Sequence, residues 1–138
     1  MNFDCDKLID MALAGRSNAY TPYSKFKVGA SIMLKDGTYI TGCNVENSSY
    51  GLCICAERNA LFQMISKGYT KEDVVAFCVV GQTDEPISPC GACRQVMEEL
   101  LKKDTPVVLT NLERKVKSTN VAEFLPYSFS GDSLKWWI

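Results

Sequence analysis

Apolar and polar positions recur along this chain with two different periods. From about Asp4 to Ser17, Leu8, Ile9, Ala12 and Leu13 return at helical spacing while Asp6, Lys7, Asp10 and Arg16 take the opposite side, which predicts a first amphipathic helix. After the turn signal Thr21-Pro22-Tyr23-Ser24, two β-rich runs, Phe26 to Leu34 and Thr38 to Cys43, flank Asp36-Gly37, the dipeptide favoured in type I′ hairpins. They predict an antiparallel pair. Ala56, Ala60, Leu61, Met64 and Ile65 fall in helical phase from Cys55 to Lys67, and Gly68 stops them. Val74 to Val80 is nearly all apolar, as in a central strand buried on both faces. Ser88 as N-cap and Pro89 at the first helical position open another helix, running to about Lys102 and burying Val96, Met97, Leu100 and Leu101. Pro106 to Thr110 and roughly Lys115 to Ser118 are two more short strands. Asn120, with Glu123 three residues on, resembles the cap of a brief helix that ends before Pro126.

Five strands alternating with helices after an initial hairpin imply an α/β fold, a three-layer αβα sandwich with a central mixed five-stranded sheet. The 138 residues match the usual size of one domain, 1–138, with a single core. A formal net charge of -1 gives no basic footprint for sequence-independent binding to nucleic acid, so a polynucleotide partner is disfavoured. The first ten residues carry three aspartates and no long apolar run, unlike a secretory signal, and no stretch of eighteen apolar residues suggests a membrane span. The expectation is a soluble, cytoplasmic protein. Its seven cysteines then read as metal ligands and buried thiols rather than a disulfide framework.

The thiols fall in a telling pattern: Cys53-Ile54-Cys55-Ala56-Glu57-Arg58, then Pro89-Cys90-Gly91-Ala92-Cys93. The chain has no histidine, so a metal must be held by thiolates or carboxylates and a general base must be something other than imidazole. Cys55, Cys90 and Cys93, each at a predicted helix start, give three ligands and an open fourth position, the arrangement of catalytic zinc. Orphan N–H groups at both helix ends favour thiolate there. Glu57 is placed to act as the base, and Arg58 to hydrogen-bond the thiolates of an anionic cluster. Asn44 and Glu46, two apart on an extended segment, should point the same way, with Val45 directed into the core, and would suit the hydroxyls of a sugar. Two other readings stand beside this one: a closed Cys₄ structural site that includes Cys53, and a redox Cys90/Cys93 pair. Cys5, Cys43 and Cys78 read as ordinary small buried hydrophobes.

Cys55-Ala56-Glu57 together with Pro89-Cys90-Gly91-Ala92-Cys93-Arg94-Gln95 resembles the signature of the zinc nucleoside and nucleotide deaminases, and within them the small cytidine deaminases. The resemblance extends to Pro22-Tyr23-Ser24-Lys25-Phe26, Val28-Gly29-Ala30, Gly42-Cys43-Asn44-Val45-Glu46-Asn47 and Leu125-Pro126-Tyr127-Ser128-Phe129. It implies one zinc ion per subunit on Cys55, Cys90 and Cys93, with Glu57 shuttling protons and Arg58 supporting the thiolates. Asn44 and Glu46 would hold the ribose, Phe26 would stack on the pyrimidine, and the backbone at Ala56 would meet the base carbonyl. Phe129 would be lent by one subunit of a homotetramer to its neighbour's site. The implied reaction is hydrolytic deamination of cytidine and 2′-deoxycytidine in pyrimidine salvage. A deaminase for a cytosine-nucleoside antibiotic is the alternative nearest in chemistry. Phe124, Tyr127 and the tail Trp136-Trp137-Ile138 depart from the family's pattern.

Overall fold

The structure, a computed structural model, describes residues 2–135; the Trp136-Trp137-Ile138 tail lies outside them. Its middle layer is a sheet in the order β2-β1-β3-β4-β5. β1 (Val28–Leu34) and β2 (Tyr39–Cys43) form the expected antiparallel hairpin. β3 (Val74–Gly81) runs antiparallel to β1 and parallel to β4 (Pro106–Asn111), and β5 (Val116–Asn120) pairs antiparallel with β4. The sheet is therefore mixed and five-stranded, as the alternation of patterns implied.

Period-2 alternation in β3 assigns its two faces. Phe77 and Val79 face a cluster with Ala60, Leu61 and Met64 of α2 (Ala56–Ser66) and Met97 of α3 (Gly91–Leu100). Ala76, Cys78 and Val80 face Leu8, Ile9 and Ala12 of α1 (Cys5–Arg16). Helices thus cover both sides. Asp4 caps α1 by accepting from Lys7 N at 3.0 Å, and Asn120 caps the short α4 (Val121–Phe124) by accepting from Glu123 N at 2.9 Å.

The hairpin turn is not type I′. Gly37 alone in it has a positive φ, 86°, and Gly37 N donates to Leu34 O at 3.0 Å while Leu34 N donates to Thr38 O at 2.9 Å. This is a three-residue loop with glycine in the left-handed position, which leaves Asp36 free to accept from Thr38 N.

α2 lies directly on β2 because Gly42 has no side chain: a Cβ there would fall 2.6 Å from Ala56 O and 2.7 Å from Ala60 N. Asn59 Nδ2 donates to Cys43 O at 3.0 Å and Gln63 Nε2 to Thr41 O at 2.9 Å, fixing the helix along the strand. The strand that leads to Asn44 and Glu46 and the helix that carries Glu57 are thereby held as one piece.

Candidate active site

Cys55 and Cys90 are the N-cap residues of α2 and α3, both with extended backbone (ψ 155° and 166°), and neither thiol caps its own helix. Both sulfurs are thus free to turn toward a shared centre. The helix starts differ from the sequence expectation, which put Pro89 inside α3. Ser88 does not cap, because its hydroxyl accepts from Arg94 Nη2 at 2.7 Å while Arg94 Nε donates to Pro89 O at 2.8 Å. The helix begins only at Gly91 and ends at Leu100.

Cys55 Sγ lies 3.8 Å from Cys90 Sγ, and Cys90 Sγ 3.6 Å from Cys93 Sγ. Thiolates about 2.3 Å from one tetrahedral zinc ion lie about 3.8 Å apart, so the three sulfurs fit that ion. Among the described residues this is the one group of metal-ligating side chains close enough to share an ion. Cys53 is not in it: its sulfur accepts from Asn47 N at 3.3 Å and faces Asn47 O at 3.6 Å. The closed Cys₄ site is therefore not favoured. Of the other cysteines, Cys78 is buried in the core, whereas Cys5 and Cys43 are only half-buried.

Glu57, 4 % exposed, sits on the first turn of α2 beside this cluster. Burial pushes its carboxyl up to about 7, its own backbone N–H pulls the other way, and the Cys55 thiolate adds to the rise. Cys55 is pulled down to about 5, first by a hydrogen bond from the Cys93 thiol and then by Arg58, whose Nη2 donates to its sulfur at 3.3 Å. Cys93, as the donor to Cys55, is pushed up. Arg58 Nε is buried without a partner. It is through Nη2 that the guanidinium meets the thiol cluster, as expected for a group that offsets its negative charge.

The open side of the cluster faces a cavity of about 560 Å³, lined among others by Phe26, Asn44, Glu46, Ala56 and Glu57. That volume suits a small organic molecule. The two polar groups expected to share a direction do so, but Val45 between them is 37 % exposed rather than buried. β2 ends at Cys43, and Val45 forms isolated bridges to Tyr20 and Ile54 beyond the layer that helices cover. Asn44 is clamped at both ends of its amide, accepting from Val28 N and donating to Phe26 O, each at 2.8 Å. Phe129 does not reach the cavity of its own chain; it is 57 % exposed, and its carbonyl accepts from Gln95 Nε2 at 2.9 Å. Tyr50 and Ile87 also line the cavity and escaped the sequence reading, although each is a large apolar residue within a polar loop.

The sequence pattern of the cytidine and deoxycytidylate deaminase zinc-binding region matches residues 4–109. The chain belongs to this family. Among deaminases of the family, it is 50% identical over 131 residues to a cytidine deaminase from Halalkalibacterium halodurans, spanning 95% of this chain and 98% of that protein. It is 47% identical over 133 residues to one from Sporosarcina psychrophila, spanning 96% of each. The crystal structure of cytidine deaminase from Burkholderia pseudomallei superposes with a TM-score of 0.89 at 52% identity, covering 92% of this chain and 100% of that one. No helix among the described residues is long and apolar enough to cross a membrane.

Proposed function

We propose that the chain deaminates cytidine and 2′-deoxycytidine hydrolytically at C4, releasing ammonia and leaving uridine or 2′-deoxyuridine. One observation carries the reading: a buried glutamate and the thiols Cys55 and Cys90 of a three-cysteine cluster line one cavity of about 560 Å³, which Asn44 and Glu46 also line. Relatives at 47% and 50% identity, both named cytidine deaminase, support it.

Cys55, Cys90 and Cys93 would hold one zinc ion per chain, and zinc bound there supplies Lewis acidity toward a water oxygen. Glu57 carries the protons. The oxygen of the attacking water bonds to C4 while Glu57 takes one of its protons to N3. Glu57 then moves the second proton to the departing amine, the C4–N bond breaks and the carbonyl forms. Arg58 offsets the charge of the thiolates. Asn44 and Glu46 receive the sugar, Phe26 stacks on the pyrimidine, and the backbone at Ala56 meets the base carbonyl.

The same reading gives a single domain over 1–138 that acts in cytoplasmic pyrimidine salvage as a homotetramer, in which each cavity receives Phe129 of a neighbouring copy. Its support is that Phe129 stands exposed and away from its own cavity, and that Tyr50, at the cavity wall, and nearby Leu52 are also exposed. Incubation of zinc-loaded protein with cytidine, deoxycytidine, cytosine and CMP, followed by loss of ultraviolet absorbance, tests the activity. Turnover of the two nucleosides is expected; none with any of the four overturns the reading.

A further inference from the structure

Glu46 stands on the cavity wall, yet its own chain already uses three of the roughly four lone-pair positions of its carboxylate. Oε1 accepts from Tyr23 N at 3.0 Å and from Ser24 N at 3.1 Å, and Oε2 accepts from the Ser24 hydroxyl. Ser24 Oγ in turn accepts from Phe26 N at 3.0 Å. That leaves the hydroxyl's single hydrogen for Glu46 and fixes the direction of the bond. The turn is itself tied down. Lys25 N donates to Thr21 O at 3.1 Å with Lys25 in the left-handed region (φ 61°), and Tyr20 exchanges backbone hydrogen bonds with Asn44 O and Glu46 N.

We propose that Ser24 is a positioning residue for sugar recognition: its hydroxyl fixes Glu46 Oε2 so that the carboxylate's remaining lone pair meets a sugar hydroxyl. This rests on the nucleoside reading of the cavity given above. Without the Ser24 hydroxyl, Tyr23 N and Ser24 N hold one oxygen only, and the terminal torsion of a glutamate is broad enough for the other to swing. Asn44 needs no such help, since both ends of its amide are anchored on the backbone. Glu46 also lies below the ordinary glutamate range, with the Ser24 hydroxyl as the largest cause, so it faces the sugar as a charged acceptor.

The test compares wild type, Ser24→Ala and Ser24→Thr on cytidine and on 2′,3′-dideoxycytidine, which lacks both ring hydroxyls. Where dideoxycytidine turns over slowly, its binding is read as a competitive inhibition constant against cytidine. Loss of a hydrogen bond to a charged but exposed group should lower kcat/KM for cytidine about tenfold, mainly through KM. Ser24→Ala should leave dideoxycytidine within about twofold of wild type, and Ser24→Thr, which keeps the hydroxyl, should recover most of the loss. Introduced into a Glu46→Gln background, Ser24→Ala should add almost nothing. Equal losses on both nucleosides would mean that the turn merely supports Phe26, and unchanged values on both would mean that Glu46 holds itself; each overturns the proposal. Wild-type protein that neither converts nor binds either nucleoside overturns the nucleoside reading instead, a result visible before any variant is measured.

Discussion

Replacing Gly42 with alanine adds one methyl group at the tightest contact between the sugar-side strand and the helix of Glu57. That methyl would sit 2.6 Å from Ala56 O, 2.7 Å from Ala60 N and 2.9 Å from Ala60 Cβ. Two of the three are main-chain atoms of the first turns of α2, which no rotamer change moves aside. The helix must retreat by something on the order of 1 Å, an overpacking that costs about 2 to 3 kcal/mol. For a chain of this length each kcal/mol lowers Tm by about 3 °C, so calorimetry on the zinc-loaded variant should show a midpoint about 6 to 9 °C below wild type. Glu57 lies on the retreating turn, and a displacement of that size should lower kcat by at least about tenfold. Gly51→Ala is the control, because nothing lies within 4 Å of its added methyl. It should stay within about 0.5 kcal/mol of wild type. If Gly42→Ala melted within about 2 °C of wild type at full activity, the strand and helix would not be held as one piece and the reasoning would fail.

Glu57→Gln should keep zinc and fold while cutting turnover by about 10² to 10⁴, since an amide hydrogen-bonds but carries no proton; substantial activity in a metal-loaded variant would remove Glu57 as the shuttle. Cys55→Ala should lose zinc on metal analysis, whereas Cys53→Ala, whose sulfur hydrogen-bonds the Asn47 backbone and lies outside the thiol cluster, should keep metal and activity. Zinc lost on removing Cys53 would restore the Cys₄ alternative. Because the Ser24 hydroxyl is the largest influence holding Glu46 below the ordinary glutamate range, Ser24→Ala should raise its pKa back toward that range. Glu46 then becomes neutral at a higher pH, so the acid-side fall in kcat/KM for cytidine should begin earlier as pH drops; superimposable acid limbs would count against the assignment. Subunits carrying Glu57→Gln, refolded together with subunits carrying Phe129→Ala, should regain activity above the sum of the two parents. Mixed assemblies seen by native mass spectrometry without that gain would place Phe129's role within its own chain.

What the sequence revealed and what it hid divide by the range of the interaction. The course of α2 and the apolar run of β3 follow from local phase, and both were readable. So was the triad of thiols, because helix starts marked by cysteine are a local signal. The start of α3 was misplaced because Ser88-Pro89 has every local mark of a cap, yet Arg94 claims both the Ser88 hydroxyl and the Pro89 carbonyl. Val45 was misplaced for a related reason: alternation buries a residue only where a layer covers the strand, and β2 stops two residues earlier. The bond from Ser24 to Glu46 spans 22 residues, and no periodicity announces it. The role expected of Phe129 comes from family resemblance alone, since nothing within one chain brings that ring to the cavity.

The two margins of the sheet also limit how copies of this molecule meet. On β2 the carbonyls of Thr41 and Cys43 are occupied by the side-chain amides of Gln63 and Asn59, and at the opposite margin β5 displays the exposed Lys117. Free margins are where sheets recruit foreign strands, and blocked or charged ones resist it. Native copies are therefore steered away from fusing their sheets end to end and toward joining through helix and loop faces, where contacts consist of side chains rather than a shared backbone ladder. Association of that kind is tuned by single substitutions. Strand addition along the β2 margin, by contrast, would first require α2 to lift off β2 and expose its carbonyls.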